Sequence, residues 1–419
     1  MTDKKIAITG ATLIDGTGGQ PIPDSVVLVE NDRIAQVGTS ASKPIPDDTH
    51  RIDASEKYLL PGMIELHSHM YHPAMVGINF MEKEPEAYAA MYAHNMLRQA
   101  LQTGITTIRE VADVDHIDLS FKRAITEGVI AGPRLFVAGQ GICMTGGHGW
   151  QLKDCVLEVD GPQEIIKAIR GQIKSGVDLI KILTSHRDET PEYTQEELNV
   201  GVNEAHRLGK RVAAHAASQT ATDMVVKAGV DTVEHGTFLT DETVARMADQ
   251  GTVWVPTCYV ICMIGQFAEQ ALENAQQLPP QLKKELVLAK NWGDLCTTEL
   301  PKSFEKVLKA DIRIGTGTDA IGRDMIYAAL PEELAHLTQF GCTPMQAIES
   351  ATRVGAEALG VEKDLGTVEA GKYADLIMVD SDPLKDITAL KTVSWVMKGG
   401  NEIPFEAAYD RMAGKVPWQ

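Results

Sequence analysis

Over the first sixty residues apolar and polar positions alternate with a period of two: Lys5-Ile6-Ala7-Ile8, Ala11-Thr12-Leu13-Ile14-Asp15, Ser25-Val26-Val27-Leu28-Val29 and Arg33-Ile34-Ala35-Gln36-Val37. Turn residues at Gly16-Thr17-Gly18-Gly19 and Glu30-Asn31-Asp32 punctuate them, which predicts a small antiparallel β unit. From Gly62 the rhythm changes to short apolar runs separated by helix-length segments, the pattern of a parallel α/β fold. Eight runs read as strands: Met63–Leu66, Ile105–Arg109, Arg134–Ala138, Leu179–Leu183, Arg211–His215, Thr232–His235, Val253–Pro256 and Ile312–Thr316. Helices fit between them, such as Ala87–Thr103 and Pro191–Leu208.

The longest gap, Thr257 to Asp311, holds helix-like segments at Gly265–Gln277 and Gln281–Thr298 around Pro279-Pro280. An insertion of that length could cover a site as a lid. Pro344–Leu359 then reads as one helix, with Thr343 as N-cap and Gly360 just past its end. Alternation returns at Ala374-Asp375-Leu376-Ile377-Met378-Val379 and Val393-Ser394-Trp395-Val396-Met397. The expectation is α/β: a (β/α)8 TIM barrel over 61–365, flanked by one β-sandwich domain composed of 1–60 plus 366–419.

Composition narrows the function. The 419 residues are 44% hydrophobic, an ordinary globular share, and a net charge of −19 without a basic stripe argues against a nucleic-acid partner. The opening Met1-Thr2-Asp3-Lys4-Lys5 leads into an apolar run too short for a signal peptide. No stretch reaches membrane-spanning length. Six cysteines without a framework read as reduced thiols of a cytoplasmic protein, with Cys258 and Cys262 as buried structural thiols rather than a metal pair. A homo-oligomer is expected.

The candidate chemistry gathers at strand ends. In Gly62-Met63-Ile64-Glu65-Leu66-His67-Ser68-His69, His67 and His69 are two apart and fall on one face of a strand. They lie at the carboxyl end, where parallel barrels keep their chemistry. Paired imidazoles suit Zn, Fe, Ni or Mn, although such a pair alone is more often merely polar surface. Lys181 sits inside Asp178-Leu179-Ile180-Lys181-Ile182-Leu183. It either leaves its head in solvent at the strand end or points into the barrel mouth with a lowered pKa. His215 ends the fifth run, His235 the sixth, and Asp319 follows the eighth. Each comes from a different strand end, so all can converge on one point.

With those residues in place, the chain resembles the amidohydrolase superfamily from end to end. His67, His69, Lys181, His215, His235 and Asp319 fall on that superfamily's binuclear metal pattern. The resemblance implies two divalent ions, zinc first among them, bridged by N6-carboxylysine at Lys181, with Asp319 binding one ion and shuttling the proton. Thr106-Thr107-Ile108-Arg109-Glu110, Met144-Thr145-Gly146-Gly147-His148-Gly149 and Ala351-Thr352-Arg353 are similar to the imidazolonepropionase and prolidase-like branch. That branch includes Xaa-Pro or Xaa-Arg/Lys dipeptidases and ochratoxin amidases. The resemblance therefore implies a hydrolase of amide or peptide bonds in dipeptides or N-acyl amino acids, acting by metal-activated hydroxide.

By the same resemblance His148 would hold the substrate carboxylate; read from its residues alone it is a solvated histidine among flexible glycines. Tyr259 either reaches the pocket or packs. Relatives often follow the lysine strand with a Ser/Thr-Gly-Gly turn, whereas this chain has Thr184-Ser185-His186-Arg187-Asp188, which changes the pocket wall. Alternatives are an imidazolonepropionase-type cyclic amidohydrolase or deaminase with one metal, a lactone or phosphotriester hydrolase, and a non-enzymatic scaffold. Lys181 weighs against the first, the β flanks against the second and the full ligand set against the third.

Overall fold

Strands from both ends of the chain share one sheet. The computed structural model describes residues 4–42, 45–70, 86–185, 190–274, 280–320 and 326–404. Lys5–Leu13 lies near the middle of an eight-stranded sheet, with Ile22–Glu30 and then Arg33–Thr39 antiparallel on one side. On its other side His50–Asp53 and then Tyr58–Pro61 run parallel to it, and beyond Tyr58–Pro61 come Leu376–Val379, Val393–Lys398 and Asn401–Glu402. Register shifts after Thr9 and Ala11 bend the central strand. Its inward residues Ile6, Ile8, Ala11 and Leu13 pack with Leu59, Leu376 and Met397 in one core. Strands of both flanks thus join one hydrogen-bonded sheet that branches at Lys5–Leu13, which pairs His50–Asp53 through Ile6–Thr9 and Tyr58–Pro61 through Thr12–Leu13.

The parallel strands form two arcs. Met63–Ser68, Ile105–Glu110 and Arg134–Val137 pair in that order. Gly141–Cys143, flanked by the short strand Val156–Glu158, starts the other arc, which continues through Leu179–Leu183, Arg211–Ala216, Thr232–His235 and Val253–Val255. Seven of the eight expected strands are therefore present. The eighth is not a strand: residues 312–320 run extended between the arcs, held by isolated bridges Trp254↔Ile314 and Ser68↔Ala320. Backbone bonds from Gly315 to Trp254 O (2.8 Å) and from Leu66 to Thr316 O (2.9 Å) tie it to both sides. Gly315 and Gly317 press against Leu66, Val255 and His67, and a ladder cannot run on where side-chain room has been given up for backbone approach.

Helix boundaries follow local signals. Thr194 closes a capping box with Glu197, so Gln195–Arg207 starts later than the apolar pattern indicated. The segment expected as one helix over Pro344–Leu359 is two, Pro344–Ser350 and Arg353–Leu359. The break comes where Ala351 O accepts from Ile64 N (2.7 Å) and Gly355 sits against the Ile64 side chain. The Thr343 cap and the Gly360 terminus are both present, Gly360 at φ 73°. In the long gap Cys258–Asn274 and Pro280–Lys309 are helices that meet at Gly265 and Gly293. The second runs through Pro301 because Cys296, Leu300, Phe304 and Val307 form a fully buried stripe. Phe304 rests on Trp254 with ring centroids 4.7 Å apart. Between the arcs and the flanking sheet, the guanidinium groups of Arg134 and Arg33 both lie over the Tyr373 ring, at 4.2 and 3.8 Å. Among the described residues no helix is long and apolar enough to cross a membrane, and all six cysteines are free thiols.

Candidate metal centre

Period-two geometry delivers the first two ligands. His67 is buried and His69 half-buried at the end of Met63–Ser68, with ring centroids 5.5 Å apart. Asp319 joins them because its backbone N–H donates to His67 O (2.9 Å). Its Oδ1 lies 3.4 Å from His69 Nε2 and 3.7 Å from His67 Nε2. The donor atoms of these three side chains all lie within 4.8 Å of one another.

Lys181 is 2% exposed, with Nζ 3.5 Å from His67 Nε2, so its head is buried beside the histidines and not in solvent. Burial pushes the amine down to about 8. His235 lies 5.0 Å from His67 and 4.5 Å from His215, centroid to centroid. All six expected ligands are therefore neighbours in one centre. Burial raises the thiols of Cys258 and Cys262, Cys262 to about 11.

Each ring is held by the nitrogen that faces away from the centre. His67 Nδ1 bonds Glu234 Oε2 (2.8 Å), and His69 Nδ1 bonds Ala112 O (2.8 Å). His235 Nδ1 bonds Thr257 Oγ1 (2.7 Å), and that hydroxyl already donates to Pro256 O (2.8 Å), so it accepts from the ring. His215 is turned the other way, Nε2 donating to Ser185 O (3.0 Å). Nε2 of His67, His69 and His235 and Nδ1 of His215 are the ring nitrogens left to face a cation. Burial depresses the buried rings, His67 to about 3 and His235 to about 4, so they are neutral near pH 7. Neutral imidazoles with outward N–H groups tied down, beside one carboxylate, are a donor set that fits divalent transition metals.

Several supporting residues were not anticipated. Glu234 joins His67 to Arg109, whose Nη2 lies 2.7 Å from Glu234 Oε1. Burial acts to raise the Glu234 carboxyl, but Arg109 overrides it and holds it well below the usual range. Glu65 accepts from the backbone of His67 (2.7 Å) and Thr318 (3.0 Å), which clamps the histidine strand to the Asp319 segment. Glu110 accepts from Met70 N at 2.8 Å. The signal for these was available: acids inside apolar strands are costly unless paired.

Glu234 and His235 are consecutive, yet both face the interior. The backbone of His235 makes this possible by turning to φ 66°. Thr257, just past Val253–Val255, and Asp319, in the bridged segment, have φ of 51° and 48°. Such values are rare for residues other than glycine and gather at functional sites.

Around the centre, the His148 ring stacks on His215 with centroids 3.9 Å apart and planes 14° from parallel. Its backbone N–H donates to Glu192 Oε2 (2.9 Å). Tyr259 packs on an apolar cluster of Met96, Ala320 and Ala329, beside Asp319. Glu333, wholly buried, accepts from the backbone N–H groups of Cys258 (3.0 Å) and Tyr259 (2.6 Å). Thr184 and Ser185 brace His215, the hydroxyl of Thr184 donating to His215 O (2.6 Å). The rest of that turn, His186-Arg187-Asp188, and part of the long insertion lie outside the described residues.

Comparison with known proteins agrees with this geometry. The pattern of the amidohydrolase family matches residues 58–403. The chain is 27% identical to the ochratoxinase of Aspergillus niger, over 95% of this chain and 86% of that protein. To the imidazolonepropionase of Cutibacterium acnes it is 25% identical, over 85% of this chain and 84% of that one. A solved Xaa-Pro dipeptidase with methionine bound in its active site superposes with a TM-score of 0.83 at 30% identity, covering 95% of this chain and 99% of that chain.

Proposed function

The chain belongs to the amidohydrolase family and is a hydrolase acting on C–N bonds, and on that premise we propose that it uses two divalent metal ions, zinc first, to cleave amide or peptide bonds in dipeptides or N-acyl amino acids. The observation that carries this is the convergence of four imidazoles, one carboxylate and a buried lysine on one centre, with each outward ring nitrogen already bonded. Similarity to a dipeptidase and an ochratoxinase supports the substrate class. On the same footing, the two parallel arcs are proposed to be parts of one (β/α)8 barrel spanning 61–365, with 1–60 and 366–419 forming the composite flanking domain.

His67, His69, His215, His235 and Asp319 would hold the ions, and Lys181 would bridge them as N6-carboxylysine. Carboxylation needs the neutral amine, and burial of Lys181 favours that form. A carbamate there would replace the buried amine with an anion suited to neutralising two dications. Ions held there would acidify water and polarise the scissile carbonyl.

The chain's own residues do the remainder. Asp319 accepts the proton of the attacking water at its carboxylate and returns it to the leaving amine nitrogen. Glu65 and the Asp319 N–H to His67 O bond keep that carboxylate beside the histidine strand. His148 donates to a free α-carboxylate of the substrate, and Tyr259 borders the same mouth. A screen of dipeptides and N-acyl amino acids with zinc-loaded protein tests the reading. Release of free amino acid supports it, while hydrolysis of lactones or phosphotriesters with every amide left intact would refute it.

A further inference from the structure

Beneath the centre lies a buried ion pair that the hydrolytic chemistry leaves without a task. Arg109 and Glu234 are 1% and 0% exposed. Both carboxylate oxygens are engaged: Oε2 with His67 Nδ1 (2.8 Å), and Oε1 with Arg109 Nη2 (2.7 Å) and the Thr232 hydroxyl. Arg109 also donates from Nη1 to Thr232 Oγ1 (2.9 Å) and from Nε to Leu66 O. The guanidinium thus touches the strands that carry His67 and His235 while sitting on the one between His67 and the barrel's third strand. A buried ion pair contributes little net stability, since apolar residues of like volume hold strands together as well or better. Its presence calls for another role.

We propose that Arg109 and Glu234 form a charge-neutral strut that positions His67 for metal binding. Glu234 keeps the ring proton on Nδ1 and so presents the unprotonated Nε2 toward Lys181 and Asp319. Arg109 cancels the carboxylate's charge, so the ring is oriented without another anion being added below the centre. The inference rests on the metal reading given above.

An amide at position 234 exposes the logic. Glu234→Gln has one accepting oxygen, yet it faces donors on two sides: His67 Nδ1–H on one, and Arg109 Nη2–H with the Thr232 hydroxyl on the other. If its NH2 turns to the ring, the proton moves to Nε2 and blocks the cation. If the NH2 turns to Arg109, it meets an uncancelled buried guanidinium. Removing that cation with Arg109→Met lets the amide oxygen accept from the ring again.

Zinc affinity is read by competition with a chromophoric chelator on wild type, Glu234→Gln and Glu234→Gln/Arg109→Met. Glu234→Gln should weaken the ion bound by His67 about 10–100-fold, the usual cost of losing the partner behind a ligand. The double variant should recover most of that loss, a restoration that a merely packing role would not give. Equal affinity in Glu234→Gln and wild type overturns the strut, and a double variant no tighter than the single one overturns the charge cancellation. If wild type itself binds no zinc, the metal reading fails and the strut with it. Should either variant fail to fold, the nitrogen-15 resonances of His67 in the metal-free wild type decide: a proton on Nδ1 supports the strut, and one on Nε2 overturns it.

Discussion

Gly317 is where the Asp319 segment and the histidine strand come closest, and replacing it with alanine should disturb fold and site together. A Cβ there would sit 2.6 Å from Val255 Cγ1, 2.7 Å from His67 Cβ and 3.0 Å from His67 N. Val255 and His67 are buried, and the last of these atoms is backbone, so no flexible side-chain end can swing aside. Overpacking of this kind costs about 1–3 kcal/mol. Relief requires the 312–320 segment or the histidine strand to shift. A displacement of about 1 Å between catalytic groups can cost about 10²-fold in rate. The assay pairs urea unfolding with kcat/KM of zinc-loaded protein. Gly171→Ala is the control, because a Cβ there meets nothing within 4 Å on the helix Gly161–Ser175; it should gain about 0.5–1 kcal/mol. A Gly317→Ala protein with the wild-type midpoint and wild-type kcat/KM would refute the reasoning.

Asp319→Asn should keep the fold but lower kcat at least about 10²-fold, the scale of general acid–base catalysis; unchanged kcat removes Asp319 from proton transfer. His148→Ala should weaken kcat/KM for substrates with a free α-carboxylate about ten- to 150-fold, matching one charge-assisted hydrogen bond of about 1.5–3 kcal/mol. The corresponding C-terminal amides should lose little, and equal cleavage of acids and amides by the wild type would sink carboxylate recognition. Burial raises the Glu333 carboxyl from 4.5 to about 8, against the opposing pull of the Tyr259 and Cys258 N–H groups. The folded chain therefore keeps a proton that the unfolded chain releases. The stability this gives is full below about pH 4.5 and is lost as pH rises toward 8. Urea unfolding of Glu333→Gln should show a shallower fall in stability from pH 5 to pH 8, and a slope equal to the wild type would contradict the assignment.

Most of the candidate centre was legible because its residues obey a local rule. His67 and His69 share a face by period two, and Lys181, His215 and His235 each stand in a recognisable strand. Asp319 was found although its segment is not a strand, since its position depends only on following the extended stretch that closes against His67. Alternation on both flanks foretold β structure, but not that Lys5–Leu13 would pair with three strands and bend into one sheet. Periodicity also failed at residues 351–352, where a contact from Ile64 sets the helix break. Arg109, Glu234 and Glu333 went unassigned because the partners that settle their roles are remote in sequence, and Glu65 because the Thr318 N–H that it joins to His67 is equally remote. A strand pattern shows that a charge is buried without showing which group neutralises it. The positive-φ turn at His235, which brings adjacent residues to the same side, breaks the very alternation that pattern reading relies on.

If one centre in this chain holds two ions through a modified lysine, metal content and activity must fall together when that lysine is removed. Elemental analysis of zinc-loaded wild type and Lys181→Ala, each assayed on the best amide substrate, tests this most directly. About two ions per wild-type chain are expected. Lys181→Ala should show clear loss of metal and nearly all activity, partly restored by short carboxylic acids that can occupy the vacated bridge. A single ion in the active wild type, or a Lys181→Ala enzyme that keeps two ions and full activity, would contradict the two-ion reading.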